Sequence, residues 1–358
     1  MKYLFFVQGE GRGHLTQALT LKEKLEKRGH TIVAIIVGSK NNKLPSFFQE
    51  QINVPLFLMA SPNFAVDKQG KGINILSTVL QTIWRSPLYL QSLKKIKKIT
   101  TDLNPDVLIN FYELLGANYY RLYRDKRPLF CLGHQYFIQH PIFKFPRGQW
   151  LPRLSFKFYN YLNAPKRATK IALSFTEESD QIKNKLYICP PLIRQLIKDQ
   201  KSISNNFLLL YMLNAGYSQE IINWGETHPQ IKIEAFWNHP ENDETNFGPN
   251  LTFHHLSGLK FINYLSTCRA YASTAGFDSI SEAAYLQKNI LMVPTKNHFE
   301  QKCNAVDAER AGLAITSENF DLSLIADKSK NGQSSDALNI FKKWVDNYDD
   351  KIINLLEK

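Results

Sequence analysis

The chain has 358 residues, 44% of them hydrophobic and 21% charged, which is too long for one ordinary core and too apolar for a disordered chain. Its net charge of +12 favours contact with something anionic: nucleic acid, a phospholipid surface or a phosphorylated substrate. No run approaches about 18 apolar residues, which excludes a transmembrane helix, and no zinc-finger, RNP or basic-zipper pattern supports nucleic acid as a partner.

The N-terminal "YLFFV" (Tyr3–Val7) is too short and lacks the small-residue cleavage site of a signal peptide, so it reads as a buried strand. It runs into Gly9, Gly11 and Gly13, then His14, and a helix with Leu15, Ala18, Leu19, Leu21 and Leu25 on one face that stops at Gly29. Further strands follow at Thr31–Gly38, Pro55–Ala60, Pro105–Phe111, Pro128–His134, Lys170–Thr176 and Lys185–Pro191. Apolar strands alternating with helix-length segments predict a parallel sheet covered on both faces.

The pattern restarts after the polar stretch Gln195–Asn206, the expected domain junction. "FLLLYM" leads to a glycine turn at Gly216 and a helix, followed by strands at "KIEAFW", "LTFHHL", "AYAST" and "NILMV". The expected organisation is therefore residues 1–194, residues 195–335, and a C-terminal helix over 336–358 that packs back toward the first domain. Cys131, Cys189, Cys268 and Cys303 are widely spaced, without metal-ligand pairing, and read as free thiols of a reducing cytoplasm.

The first glycine turn is not a dinucleotide fingerprint. The third glycine of that pattern is replaced by His14, and the second strand ends "IIVGSKNN" with no acid for a ribose. No P-loop is present either. The turn leaves bare backbone at Gly11 and Gly13 and puts His14 at a helix start, where an imidazole suits general-base chemistry; a capping or core histidine is the alternative. Glu113, after "PDVLINF", could orient that imidazole or be a solvated surface glutamate.

The stretch "STAGFDSISEAAYLQKNILMVPTKNHFEQKCNA" is more specific. Thr274–Gly276 forms a turn after a strand, and a helix opening near Ser279 offers amides and a hydroxyl to a phosphate. Glu282 suits the vicinal hydroxyls of a ribose. Glu300 and Gln301 open a later helix, with donors and acceptors that fit sugar hydroxyls. Ordinary caps would explain these residues singly, but not their joint spacing.

Thr274–Glu282 with Glu300–Gln301 and Asn304–Ala305 resembles the donor-binding signature of GT-B glycosyltransferases, above all UDP-glycosyltransferases and the MurG-like enzymes of glycosyltransferase family 28. Gly13–His14 and "ICPPLIR", at the position of their interdomain hinge, extend the likeness over nearly the whole chain. The resemblance implies two Rossmann-like α/β domains facing each other across a cleft, with acceptor on the N-terminal side and donor on the C-terminal side. It implies an inverting, metal-independent transfer from a nucleotide sugar, UDP-linked by this likeness, with no cofactor. By the same likeness Ser279 and the backbone at Gly276 hold the diphosphate, Glu282 the ribose, and Gln301 and Glu300 the sugar. Gly216 approaches the phosphates and His14 is the catalytic base. Thr274 stands where plant-type members have His, and Asp278 where they often have Asn. A non-hydrolysing UDP-N-acetylglucosamine 2-epimerase shares the architecture, and a silent sugar-nucleotide sensor is the non-enzymatic alternative.

Two segments raise a partner question. Ile73–Thr100 carries an apolar stripe (Ile75, Leu76, Val79, Leu80, Ile83, Trp84) followed by Lys94, Lys95, Lys97 and Lys98, which suits either an anionic membrane surface or core packing. Phe143–Leu162 reads as a loop with aromatics and cations on the same surface. A lipid-linked or cell-envelope acceptor would thus place a cytoplasmic enzyme peripherally on the inner face of the plasma membrane.

Overall fold

The computed structural model describes residues 1–39, 44–62, 84–212, 215–237, 244–326 and 334–358. Contacts divide the chain into two compact units, one comprising described residues up to Leu192 together with Tyr348–Lys358, the other Ile193–Asn347. Among the described residues no helix is long and apolar enough to cross a membrane.

The first unit is a seven-stranded sheet: β1 (Lys2–Gln8), β2 (Thr31–Ser39), β3 (Leu56–Ala60), β4 (Val107–Phe111), β5 (Leu129–Leu132), β6 (Thr169–Leu173) and β7 (Leu186–Cys189). The order is β3-β2-β1-β4-β5-β6-β7, and every pairing is parallel. Tyr3–Val7 are wholly buried because helices cover both faces of a central strand. The helix Gly13–Lys27 buries Leu15, Ala18, Leu21 and Leu25, and Gly29 (φ +80°) ends it in the left-handed conformation that glycine tolerates. The winding reverses between β1 and β4, so the loops leaving those two strands flank the crevice where open α/β sheets bind ligands.

The second unit repeats the plan with β8 (Phe207–Met212), β9 (Lys232–Trp237), β10 (Glu244–Phe247), β11 (Leu251–His255), β12 (Ala270–Thr274), β13 (Asn289–Val293) and β14 (Ile315–Thr316), in the order β10-β11-β9-β8-β12-β13-β14. Its reversal lies between β8 and β12. The sheet is parallel as expected except for one edge pair. Only Gly248–Asn250 separate β10 from β11, too few for a crossover, so the two strands form an antiparallel hairpin.

The stretch 195–206 follows the division at Leu192/Ile193 and is pinned to the second unit. Ser202 Oγ donates to Leu286 O (2.7 Å), and the buried Lys288 ammonium donates to Ile203 O (2.6 Å), Ser266 O (2.8 Å) and Cys268 O (3.0 Å). The segment 336–358 is two helices rather than one. Ser335–Asn347 stays with the second unit, where Tyr285 Oη donates to Asp346 Oδ1 (2.8 Å). Lys351–Leu356 belongs to the first unit, where Asp349 meets Lys24 (2.6 Å), Asp350 meets Arg28 (2.7 Å) and Tyr3 Oη donates to Leu356 O (3.2 Å). All four cysteines are buried free thiols.

Candidate active site

In the first unit the loops after β1 and β4 bring His14, Tyr112 and Glu113 to the switch point. Gly9 is required by packing, since a Cβ there would lie 2.6 Å from Gly38 O, to which its own N–H donates at 2.8 Å. Gly11 is required by conformation (φ +80°). Gly13 opens the helix and His14 follows it, half-buried. The imidazole lies 5.7 Å from the Tyr112 ring, nearly coplanar with it at 22°. Its Nδ1 faces Gln17 Oε1 (3.4 Å) and its Nε2 faces Gln135 Nε2 (3.2 Å). A tautomer protonated at Nδ1 would donate to Gln17 Oε1 and leave Nε2 as the nitrogen that accepts.

Glu113 neither lies on the surface nor orients the imidazole. It is buried as the N-cap of helix Leu114–Leu122, accepting from Leu115 N (2.9 Å) and Ser61 Oγ (2.5 Å). Asn110 fixes its backbone, accepting from Glu113 N at 2.7 Å. Burial pushes the carboxyl up to about 7; the bonds from Ser61 and Leu115 offset this only in part, and the Glu10 charge adds to it. The space it fills exists because residue 38 is glycine: a Cβ there would sit 2.2 Å from Glu113 Oε2. At Nδ1 of His14 stands the Gln17 amide oxygen.

In the second unit Gly216 is exposed in the turn after β8, and Thr274 is buried at the end of β12. Gly276 N donates to Thr274 O (2.7 Å), and Asn304 Nδ2 grips Ala275 O (3.0 Å), which fixes the turn at the start of helix Asp278–Tyr285. Among the described residues a Cβ on Gly276 would meet only Thr274 O, at 4.0 Å. Ser279 lies in the first turn of that helix, half-buried. Gln301 Oε1 accepts from Thr295 N (2.8 Å), which folds the proline loop onto helix Phe299–Arg310; Glu300 is half-buried beside it.

Glu282 holds a bidentate pair with Arg194, Nε to Oε1 and Nη2 to Oε2, both at 2.6 Å. Burial alone would lower the Arg194 guanidinium; the Glu282 charge and hydrogen bonds overcome it, with Asp278 adding to the effect. Arg194 therefore answers the repulsion that Asp278 and Glu282 together would present to a diphosphate. Thr274, Gly276, Ser279, Glu282, Glu300 and Gln301 all lie on the β12 and β13 connections, and Gly216 on the β8 connection across the same switch point.

Sequence reasoning missed Gln17, Gln135, Tyr112 and Arg194. Gln17 sits one helical turn from His14 and Arg194 ends "PPLIR", so both had a local signal. Tyr112 and Gln135 reach the imidazole only through the pairing of β1 with β4 and of β4 with β5.

Two Rossmann-like units with these switch-point loops define a GT-B glycosyltransferase, and solved structures agree on the fold. A glycotransferase of kitacinnamycin aligns with a TM-score of 0.64 at 14% identity, covering 99% of this chain and 98% of that one. Phytolacca americana UGT2, solved with UDP-2-fluoro-glucose and pterostilbene, aligns with a TM-score of 0.63 at 13% identity, covering 97% and 94%. An uncharacterized glycosyltransferase of Methanosarcina mazei is 22% identical over 339 residues, 87% of this chain and 85% of the relative. The family model for glycosyl transferase family 1 matches residues 1–330, and the chain belongs to that family.

Proposed function

We propose that this glycosyltransferase moves a sugar from a UDP-linked donor to an acceptor hydroxyl in one displacement, inverting the anomeric centre and using no metal. His14 Nε2 takes the acceptor proton as the oxygen attacks. Ser279 and the amides at Gly276 and the helix start receive the departing diphosphate, whose charge the helix dipole stabilises. Arg194 supplies the cation at that end, and Glu282, held by it, faces the ribose hydroxyls. Gln301 and Glu300 address the sugar. The acceptor is a lipid-linked or cell-envelope hydroxyl, met at the cytoplasmic face of the membrane.

The observation that carries this reading is the placement of His14 at the first sheet's switch point, half-buried at a helix start, with Gln17 Oε1 at its Nδ1 and the Gln135 amide at its Nε2. A panel of nucleotide sugars tests the donor. Calorimetric binding of UDP, with hydrolysis or transfer from UDP-sugars only, is expected; binding of no nucleotide in the panel would remove the donor assignment.

A further inference from the structure

The segment expected as a loop at Phe143–Leu162 is mostly helix, Trp150–Asn163, and its solvent face is apolar. Its buried residues are Asn160 and Asn163, whereas Trp150, Leu151, Leu154, Phe158 and Tyr161 are 71%, 53%, 55%, 62% and 64% exposed. A helix on a folded unit ordinarily buries its apolar stripe and wets its polar one. At about 100° per residue the five exposed side chains fall within an arc of about 100°, along an axis about 21 Å long. Arg153 and Lys157 flank that arc, both over the Phe145 ring at 4.3 Å and 5.2 Å. The charge pattern around it is one-sided: residues 126–176 contain nine lysines and arginines and no carboxylate.

An exposed apolar stripe of this size calls for cover, and the predominantly positive charge beside it says of what kind. We propose that helix Trp150–Asn163 docks the enzyme on an anionic lipid bilayer, the five apolar side chains entering the headgroup–acyl boundary while Arg153, Lys157 and the neighbouring cations meet lipid phosphates. The other side of the helix reaches the candidate base: Tyr159 lies 5.6 Å from Tyr112, the ring that stacks on His14. A membrane-borne acceptor would therefore arrive one aromatic layer from the imidazole. That last consequence rests on the acceptor-side reading of His14, whereas the docking does not. The other segment expected to bind membrane does not enter the argument, because Ile75, Leu76, Val79, Leu80 and Ile83 lie outside the described residues; Trp84 and Lys94, Lys95, Lys97 and Lys98 are exposed.

Co-sedimentation of the full chain with vesicles tests the docking. At low salt the wild type is expected to pellet at least ten-fold more with equal parts phosphatidylglycerol and phosphatidylcholine than with phosphatidylcholine alone. Leu154→Gln with Phe158→Gln should remove that binding without moving the melting temperature, since both side chains face solvent. Arg153→Gln with Lys157→Gln should remove the anionic preference. Wild type left in the supernatant, or either double variant pelleting like wild type, overturns the proposal. Quenching of tryptophan by brominated lipid needs no destabilising change: it should be strong in wild type and fall in Trp150→Phe, and no difference overturns it equally. Dimers dissolved by the Leu154→Gln, Phe158→Gln variant, without vesicle binding, would assign the stripe to a second copy instead. Donor turnover measured without vesicles reports on the proposed chemistry alone, so the two readings fail separately.

Discussion

Replacing Glu113 by Gln should make the first unit more stable at alkaline pH, by an amount that the burial of this carboxyl sets. Burial pushes its pKa up to about 7, from about 4.5 for a solvated glutamate. At about 1.4 kcal/mol per pKa unit, ionising it in place costs about 3 kcal/mol. The sign follows from proton counting: between these two values the folded state holds a proton that the unfolded state has lost, so stability falls as pH rises through that window. Gln stays neutral and can still accept from Ser61 Oγ and Leu115 N. The difference in unfolding free energy, variant minus wild type, should therefore climb by about 3 kcal/mol from pH 4.5 to above pH 7 and then level off. Urea unfolding of both proteins across that range measures it, and taking the difference cancels the other titrating groups. A difference that stays flat with pH would refute the idea that a raised carboxyl is buried there.

Arg194→Met strands the Glu282 carboxylate, 4% exposed beside a guanidinium at 24%, and should cost about 3–5 kcal/mol in the second unit. Adding Glu282→Gln should restore more than half of that loss by the same denaturation assay, while a simple sum of losses would show that the pair is not coupled. Gly38→Ala drives a methyl into the Glu113 carboxyl and should cost about 1–3 kcal/mol. The same change in a Glu113→Ala background should cost clearly less, and equal penalties would deny the contact.

The architecture was legible because period and punctuation agree: all seven strands of the first sheet and five of the second announce themselves as apolar runs between helix-length segments. β10 and β14 escaped for physical reasons. "ETNF" alternates at a solvated sheet edge and Ile315–Thr316 is too short to carry a pattern. The donor-type motif could be read as a string because its residues lie on consecutive connections of β12 and β13. The surroundings of His14 could not, since Tyr112 and Gln135 come from 98 and 121 residues away and meet it only through strand order. Glu113 shows the same limit: nothing in its neighbours says that Gly38, on another strand, leaves a carboxyl-sized space. Nor does anything beside Gly9 say that its missing side chain clears room for β2. Helix Trp150–Asn163 stands where the sequence reads as a surface loop with aromatics and cations, and only the folded unit shows that Asn160 and Asn163 point inward.

The sharpest trial of the chemistry is mass-spectrometric product formation from a UDP-sugar by wild type and His14→Ala, with UDP affinity measured alongside. The variant should lose transfer by about 10²–10⁴-fold, the range for a positioned general base, while binding UDP within two-fold of wild type. Transfer by His14→Ala at the wild-type rate would contradict the assignment of the base.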